Sequence, residues 1–166
     1  MRSASTLGLL SILLLLGLVW GWSSLTEPFP SLTTGSTDTG PCSTHVVAAG
    51  EKVRRDQVTV SVFNAGTTEG LAGSTMEELV ARGFGAGDTG NAPSDVRVRR
   101  AEIWATDPDD PAVRLVASAF QRVKVVDKAP LGVGVSVVVG DRVGHVVKGL
   151  PSVTALTDTT VCSPNL

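Results

Sequence analysis

Apolar and polar positions change period several times along this chain, and each change marks an element. Val58 to Phe63 alternates valine with threonine, serine and phenylalanine, a period of two that predicts a strand with Val58, Val60 and Val62 on one face. Asn64-Ala65-Gly66-Thr67 has the chemistry of a turn. From Glu69 to Arg82 the positions Leu71, Ala72, Thr75, Met76, Leu79 and Val80 recur at helical spacing, which predicts a helix with one buried face. Gly83 stands where such a helix takes its left-handed cap.

The same plan returns about 40 residues later. Ala101 to Ala105 reads as a strand, Thr106 to Pro111 as a turn whose Asp110 caps a helix started by Pro111, and Val113, Val116, Ala117 and Phe120 as that helix's buried stripe. Arg122 to Val126 continues as a strand. Setting Val62-Phe63-Asn64-Ala65 against Ile103-Trp104-Ala105-Thr106 lays Leu79 over Phe120, so the two halves read as copies of one βαβ element. Gly134 to Gly140, a nearly continuous β-branched run, fits a strand covered on both faces or inserted centrally. Together these elements predict an α/β fold of the α+β two-layer sandwich kind, one sheet with both helices on one face. The duplicated βαβ units suggest a ferredoxin-like arrangement with an extra C-terminal strand. The tail from Lys148 to Leu166 is expected to run back over the domain.

Ahead of this core, Leu7 to Trp22 carries no charge and follows Arg2 and the amino terminus. At about 1.5 Å per residue it nearly crosses a hydrocarbon layer of roughly 30 Å, and Thr6 and Ser23 can complete the span. Either a cleaved signal peptide or a retained signal anchor fits. Val19 and Gly21 meet the small-residue cleavage rule weakly, while Trp20 and Trp22 suit an interfacial belt, so the retained anchor is the favoured expectation. The expected organisation is a single-pass anchor in the cell membrane (1–23), a flexible Ser/Thr/Gly/Pro linker (24–41) and an extracytoplasmic domain (42–166) with its core at 58–141.

Export bears on the two cysteines. An oxidising compartment would let Cys42 and Cys162 pair, closing a loop of about 120 residues that the chain-entropy account credits with about 4 to 5 kcal/mol. Neither a C-x-x-C pair nor a Cys/His cluster is present, so no metal site is expected. The formal net charge of −2 and a pI near 5.6 give no global field toward nucleic acid.

The stretch VTVSVFNAGTTEGLAGSTMEELVARGFGAGDTGNA carries a family pattern at Asn64, Gly66, Thr67, Gly70, Leu71, Ala72, Leu79, Gly83, Phe84, Gly90 and Asn91, and VSVVVGD closes it with Gly140 and Asp141. In these residues the chain resembles the C-terminal domain of LytR/CpsA/Psr proteins, the LytR_C type. Ala65 replaces that pattern's first turn glycine. The 166 residues leave no room for the glycopolymer-transferring domain of the full-length enzymes. What remains is similar to stand-alone, membrane-anchored (Cei-like) envelope-integrity proteins of actinobacteria, which implies a cell-envelope role without an established reaction.

Candidate chemistry is sparse. The opening turn is neither a P-loop, since no Lys-Ser/Thr follows, nor a G-x-G-x-x-G fingerprint. Asn64, Gly66 and Thr67 can still offer a ligand anion backbone N–H groups at a helix start, although a structural corner with Thr67 or Thr68 as N-cap explains them as well. Arg97 and Arg99 in VRVRR share one face of an extended segment, suited either to phosphate or carboxylate polymers or to a charged edge strand. Trp104, equivalent to Phe63 in the repeat, either stacks on sugars or packs in the core. Asp107, Asp109 and Asp110 fit capping better than calcium. His45 and His145 lack a nucleophile in a recognisable setting. The expected function is therefore a binding or scaffold domain and not an enzyme. It takes no cofactor and serves cell-wall integrity by recognising a peptidoglycan-linked glycopolymer or a glycopolymer-transferring assembly protein. The alternative is an accessory enzyme with weak phosphate-ester chemistry on Arg97 or Arg99 and Asp141.

Overall fold

The computed structural model describes residues 42–165. The expected anchor (1–23) and linker (24–41) lie outside the described residues, among which no helix is long and apolar enough to cross a membrane. In chain order the elements are β1 (Cys42–Val47), β2 (Lys52–Arg54), a 3-10 turn (Arg55–Gln57), β3 (Thr59–Asn64), α1 (Leu71–Ala81), β4 (Gly85–Asn91), β5 (Ala101–Ala105), α2 (Pro111–Ser118), β6 (Val123–Asp127), β7 (Val135–Val139), β8 (Ser152–Thr154) and β9 (Thr159–Pro164).

The main sheet has the order β4-β3-β7-β5-β6. Both expected βαβ units are present, β3-α1-β4 and β5-α2-β6, each with its two strands parallel and adjacent. The extra strand β7 lies between them, parallel to β3 and antiparallel to β5. This order departs from the ferredoxin-like one, in which a strand of the other unit separates the two strands of each unit. All residues of β7 are buried, and only the middle of a sheet covers a valine run on both faces.

Both helices cover one face. Met76 and Leu79 of α1 and Val113, Leu115 and Val116 of α2 close over Val60, Val62, Ile103, Val137 and Val139. Val98, Trp104 and Val138 form a smaller cluster on the other face, with Ala92, Val96 and Leu131 from the crossing loops packed against it. Two fully buried serines, register partners on β3 and β7, hold those loops. Ser61 donates to the Val133 carbonyl (2.7 Å) and accepts from the Asp88 N–H (3.0 Å). Ser136 accepts from the N–H groups of Leu131 (3.0 Å) and Gly132 (3.2 Å). Each hydroxyl thereby recovers the hydrogen bonds that burial removes.

Local chemistry sets the helix ends. Gly83, at φ 95°, ends α1; its N–H donates to the Val80 carbonyl and that of Phe84 to Leu79, the paired bonds of a Schellman stop. Asp110 caps α2 as expected, accepting from the N–H groups of Ala112 (2.8 Å) and Val113 (3.2 Å). At the start of α1 the expectation fails: the N-cap is Gly70 at φ 73°, with no side-chain cap, and the helix begins at Leu71 rather than Glu69.

The VRVRR segment also departs from the expected edge strand. That edge is β4, while residues 96–100 cross the second face as an unpaired loop. The alternation survives because Val98 is buried against Trp104 and Val138 while Arg97 and Arg99 stay exposed. Gly140 permits the crossing, since a Cβ there would fall 1.7 Å from the Val98 carbonyl oxygen. The tail returns as expected: β9 pairs with β1, β8 with β2, and the Cys42–Cys162 disulfide spans Cα atoms 5.5 Å apart.

Gly140→Ala is expected to destabilise the fold by at least about 2 kcal/mol, the clash being with backbone. Gly73→Ala, in the first turn of α1 and with nothing within 4 Å of the added Cβ, should instead stabilise by about 0.5 kcal/mol. Urea titration of both variants checks the contrast. In a second titration, reductant or the Cys42→Ser, Cys162→Ser pair should remove about 4 to 5 kcal/mol on the chain-entropy account.

Candidate functional site

Asn64 ends β3, beside Asn91 of β4 and Val139 of β7. Its Oδ1 accepts from the Gly66 N–H (2.8 Å) and its Nδ2 donates to the Thr68 carbonyl (2.8 Å), which ties the turn into a loop. That loop presents donors, and the carboxylate of Asp141 takes them. Asp141 Oδ1 accepts from the N–H groups of Thr67 (2.8 Å) and Thr68 (2.9 Å) and from Thr68 Oγ1 (2.9 Å). Its Oδ2 accepts from Thr67 Oγ1 (3.1 Å). Gly66 is required by this approach, because a Cβ there would lie 2.4 Å from Asp141 Oδ1.

The turn therefore binds an anion that the chain itself supplies, and neither threonine caps α1. The hydrogen bonds from the Thr68 N–H and hydroxyl, then from Thr67, hold the Asp141 carboxyl below its ordinary range. At neutral pH the group is a bound anion that accepts four hydrogen bonds from the turn, three on Oδ1 and one on Oδ2.

Around this turn the structure brings Asn64, Gly66, Thr67 and Arg97 together on one cleft of about 510 Å³, between residues 64–70 and 91–97. It opens at the carboxyl ends of the parallel pair β3 and β4, where α/β sheets commonly receive ligands. The Arg97 guanidinium folds back onto the carbonyls of Ser94 (2.7 Å) and Val96 (2.8 Å), which orients it at the cleft wall.

Arg99 and Trp104 lie outside that cleft. Trp104 is 6% exposed, so the sugar-stacking role yields to its packing role. It does lie on the face opposite the helices, but the loop residues cover it: Lys128 Nζ sits 4.2 Å from the ring centroid and the indole N–H donates to Glu102 (3.3 Å). The other candidates serve the fold. Asp107 accepts from the Asp109 N–H (2.9 Å), and Asp110 also accepts from the Thr159 hydroxyl (2.9 Å). His145 pairs with Glu78 (3.2 Å), which accepts the Val146 N–H (2.6 Å). Burial pushes the Glu78 carboxyl up, but the Val146, His145 and Arg82 interactions outweigh it and leave the carboxyl below its usual value. Arg55 clamps the carbonyls of Arg82, Gly149 and Leu150. No group of three or more metal-ligating side chains is found among the described residues.

The family profile described as LytR cell envelope-related transcriptional attenuator, LytR_C, matches residues 57–142. The chain belongs to this family. The matched residues run from just before β3 to just after Asp141, so the turn and its carboxylate both belong to the LytR_C domain. Among solved structures, the soluble domain of a conserved hypothetical secreted protein from Mycobacterium marinum gives a TM-score of 0.45 at 21% identity, over 58% of this chain and 75% of that one. The comparison with curated proteins gave no match.

The occupant of the turn was the residue that motif reading missed. Its signal was available: a glycine-aspartate pair ends the valine run, and another glycine sits in the turn. Removing the charge tests the assignment. Because the folded pKa lies below the unfolded value of about 3.9, the stabilisation is complete above that value and is lost as pH falls through the folded one. Asp141→Asn should be less stable than the parent at pH 7, and the gap between them should shrink as pH drops below about 4, measured by urea unfolding across pH.

Proposed function

We propose that this LytR_C domain is a non-catalytic recognition module, held on the extracytoplasmic side of the cell membrane by residues 1–23, that supports cell-wall integrity. Its partner is a peptidoglycan-linked glycopolymer or a protein that transfers one. The observation that carries the reading is the cleft at the ends of β3 and β4, where Asn64, Gly66, Thr67 and Arg97 converge on an open surface. The turn beneath is already closed by Asp141, so the cleft has rigid walls and an arginine at its rim. Rigid polar walls with one oriented cation suit binding without reorganisation. The family's cell-envelope description and the disulfide, a bond of oxidising compartments, support the location.

Cosedimentation of residues 42–166 with purified sacculi tests the reading. Retention should be seen on intact walls, and Arg97→Ala should weaken it about fivefold, in line with loss of a charged hydrogen bond at a part-exposed site. No retention on walls, intact or stripped of phosphate-bearing polymers, would remove direct wall binding.

A further inference from the structure

One end of the main sheet gathers cations from three separate parts of the chain. Arg99 and Arg100 precede β5, Arg122 and Lys124 open β6, and Arg142 follows β7. The topology makes them neighbours. Ala101 pairs with Val123 in the parallel β5-β6 ladder and with Val139 in the antiparallel β5-β7 ladder, so the starts of β5 and β6 meet the end of β7. Backbone bonds fix the junction: the Gly140 N–H donates to the Arg100 carbonyl (2.7 Å) and the Arg142 N–H to Arg99 (3.0 Å).

Two grooves of about 180 and 320 Å³ run along this end and share Arg100 and Arg122 as walls. The five cations Arg99, Arg100, Arg122, Lys124 and Arg142 line them, against the single carboxylate of Glu102, which already accepts from Trp104. None of the five is in either of the two ion pairs formed among the described residues. Gathering like charges without partners costs free energy that folding does not return, which makes an outside anion the natural complement.

The shape favours a strand-like partner over a flat one. One row of register partners, Asn91–Asn64–Val139–Ala101–Val123, crosses the whole sheet at this end. It places the Arg97 cleft in line with the two grooves over about 19 Å, four strand spacings. Guanidinium forks match phosphate oxygens two at a time. A membrane surface would call for apolar anchors beside the charges, and none of the exposed large apolar residues Val46, Val80, Leu150 and Leu156 lines either groove.

We infer that this end of the sheet binds a linear polymer carrying phosphodiester groups, with Arg100 and Arg122 at the centre of the track. The inference rests on the wall-recognition reading and names the chemistry of its ligand. The test titrates the full chain in nonionic detergent against fluorescent poly(glycerol phosphate), with neutral dextran and phosphatidylglycerol vesicles as separate arms. Five contacts at about −0.7 each give a slope of log affinity on log salt of about −3.5, which Arg100→Gln with Arg122→Gln should bring to about −2. Lys52→Gln with Arg114→Gln, exposed cations on β2 and in the middle of α2 that line neither groove, should leave the slope unchanged. Lys124→Gln with Arg142→Gln provides a second reduction of the slope should the first pair fold poorly.

Equal affinity for dextran, an unchanged slope in both track variants, or binding to vesicles but not to polymer would overturn the inference. Retention on sacculi with no polymer binding would overturn it while leaving wall recognition standing. Loss of both would remove the two together.

Discussion

A strand with apolar side chains on both faces has to lie where neither face meets water, and in this chain that strand is β7. Every residue of it is buried, so it takes the centre of the sheet and the two βαβ units flank it instead of interleaving. The rest follows from that position. Its serine pairs with a serine of β3 to hold the second-face loops, and its end delivers Gly140 and Asp141 to two further contacts. Gly140 lies under the Val98 carbonyl, and Asp141 reaches the turn after β3.

The two units then solve one problem in two ways. Each has a strand feeding a helix through a turn whose N–H groups need acceptors. The second unit supplies them locally, with Asp107 inside the turn and Asp110 at the cap. The first unit has no acid in its turn between Asn64 and Thr68, so its acceptor arrives from beyond β7 in sequence. That long-range bond couples the first unit to the central strand, and it occupies the anion place that the turn's residue types advertise.

Much of this was legible in the chain, and the failures have physical causes. β3, β5, β6 and β7 show period-two or continuous apolar patterns because one or both faces are buried, and Asp110, Pro111 and Gly83 act within a turn of where they stand. β4, GAGDTGN, has no such pattern: its backbone pairing with β3 holds it, through a register shift between Val60 and Val62, and its glycines at 85 and 87 admit Pro164 and Ser61 at distances no Cβ would allow. The alternation of VRVRR put Arg97 and Arg99 on one face, and both are exposed, but alternation says nothing about pairing, so a loop looked like an edge. Arg97 and Arg99 share a direction along the sequence yet serve different surfaces, because the loop crosses the sheet between them. Trp104 packs because its cover, Lys128 and Leu131, comes from a loop without periodicity.

The same topology explains how one end of the sheet tolerates so many cations. α1 starts at this end, because it follows β3, and α2 finishes here, because β5 runs the opposite way. A helix start carries about half a positive charge and a helix end about half a negative one. The positive end of α1 is offset by Asp141, which the turn holds ionised. The negative end of α2 lies just before Arg122, four residues past Ser118, where a cation is favoured. The arginine row therefore meets a backbone field that has been neutralised on one side and made receptive on the other. Its remaining repulsion is directed outward, toward whatever anion runs along the row.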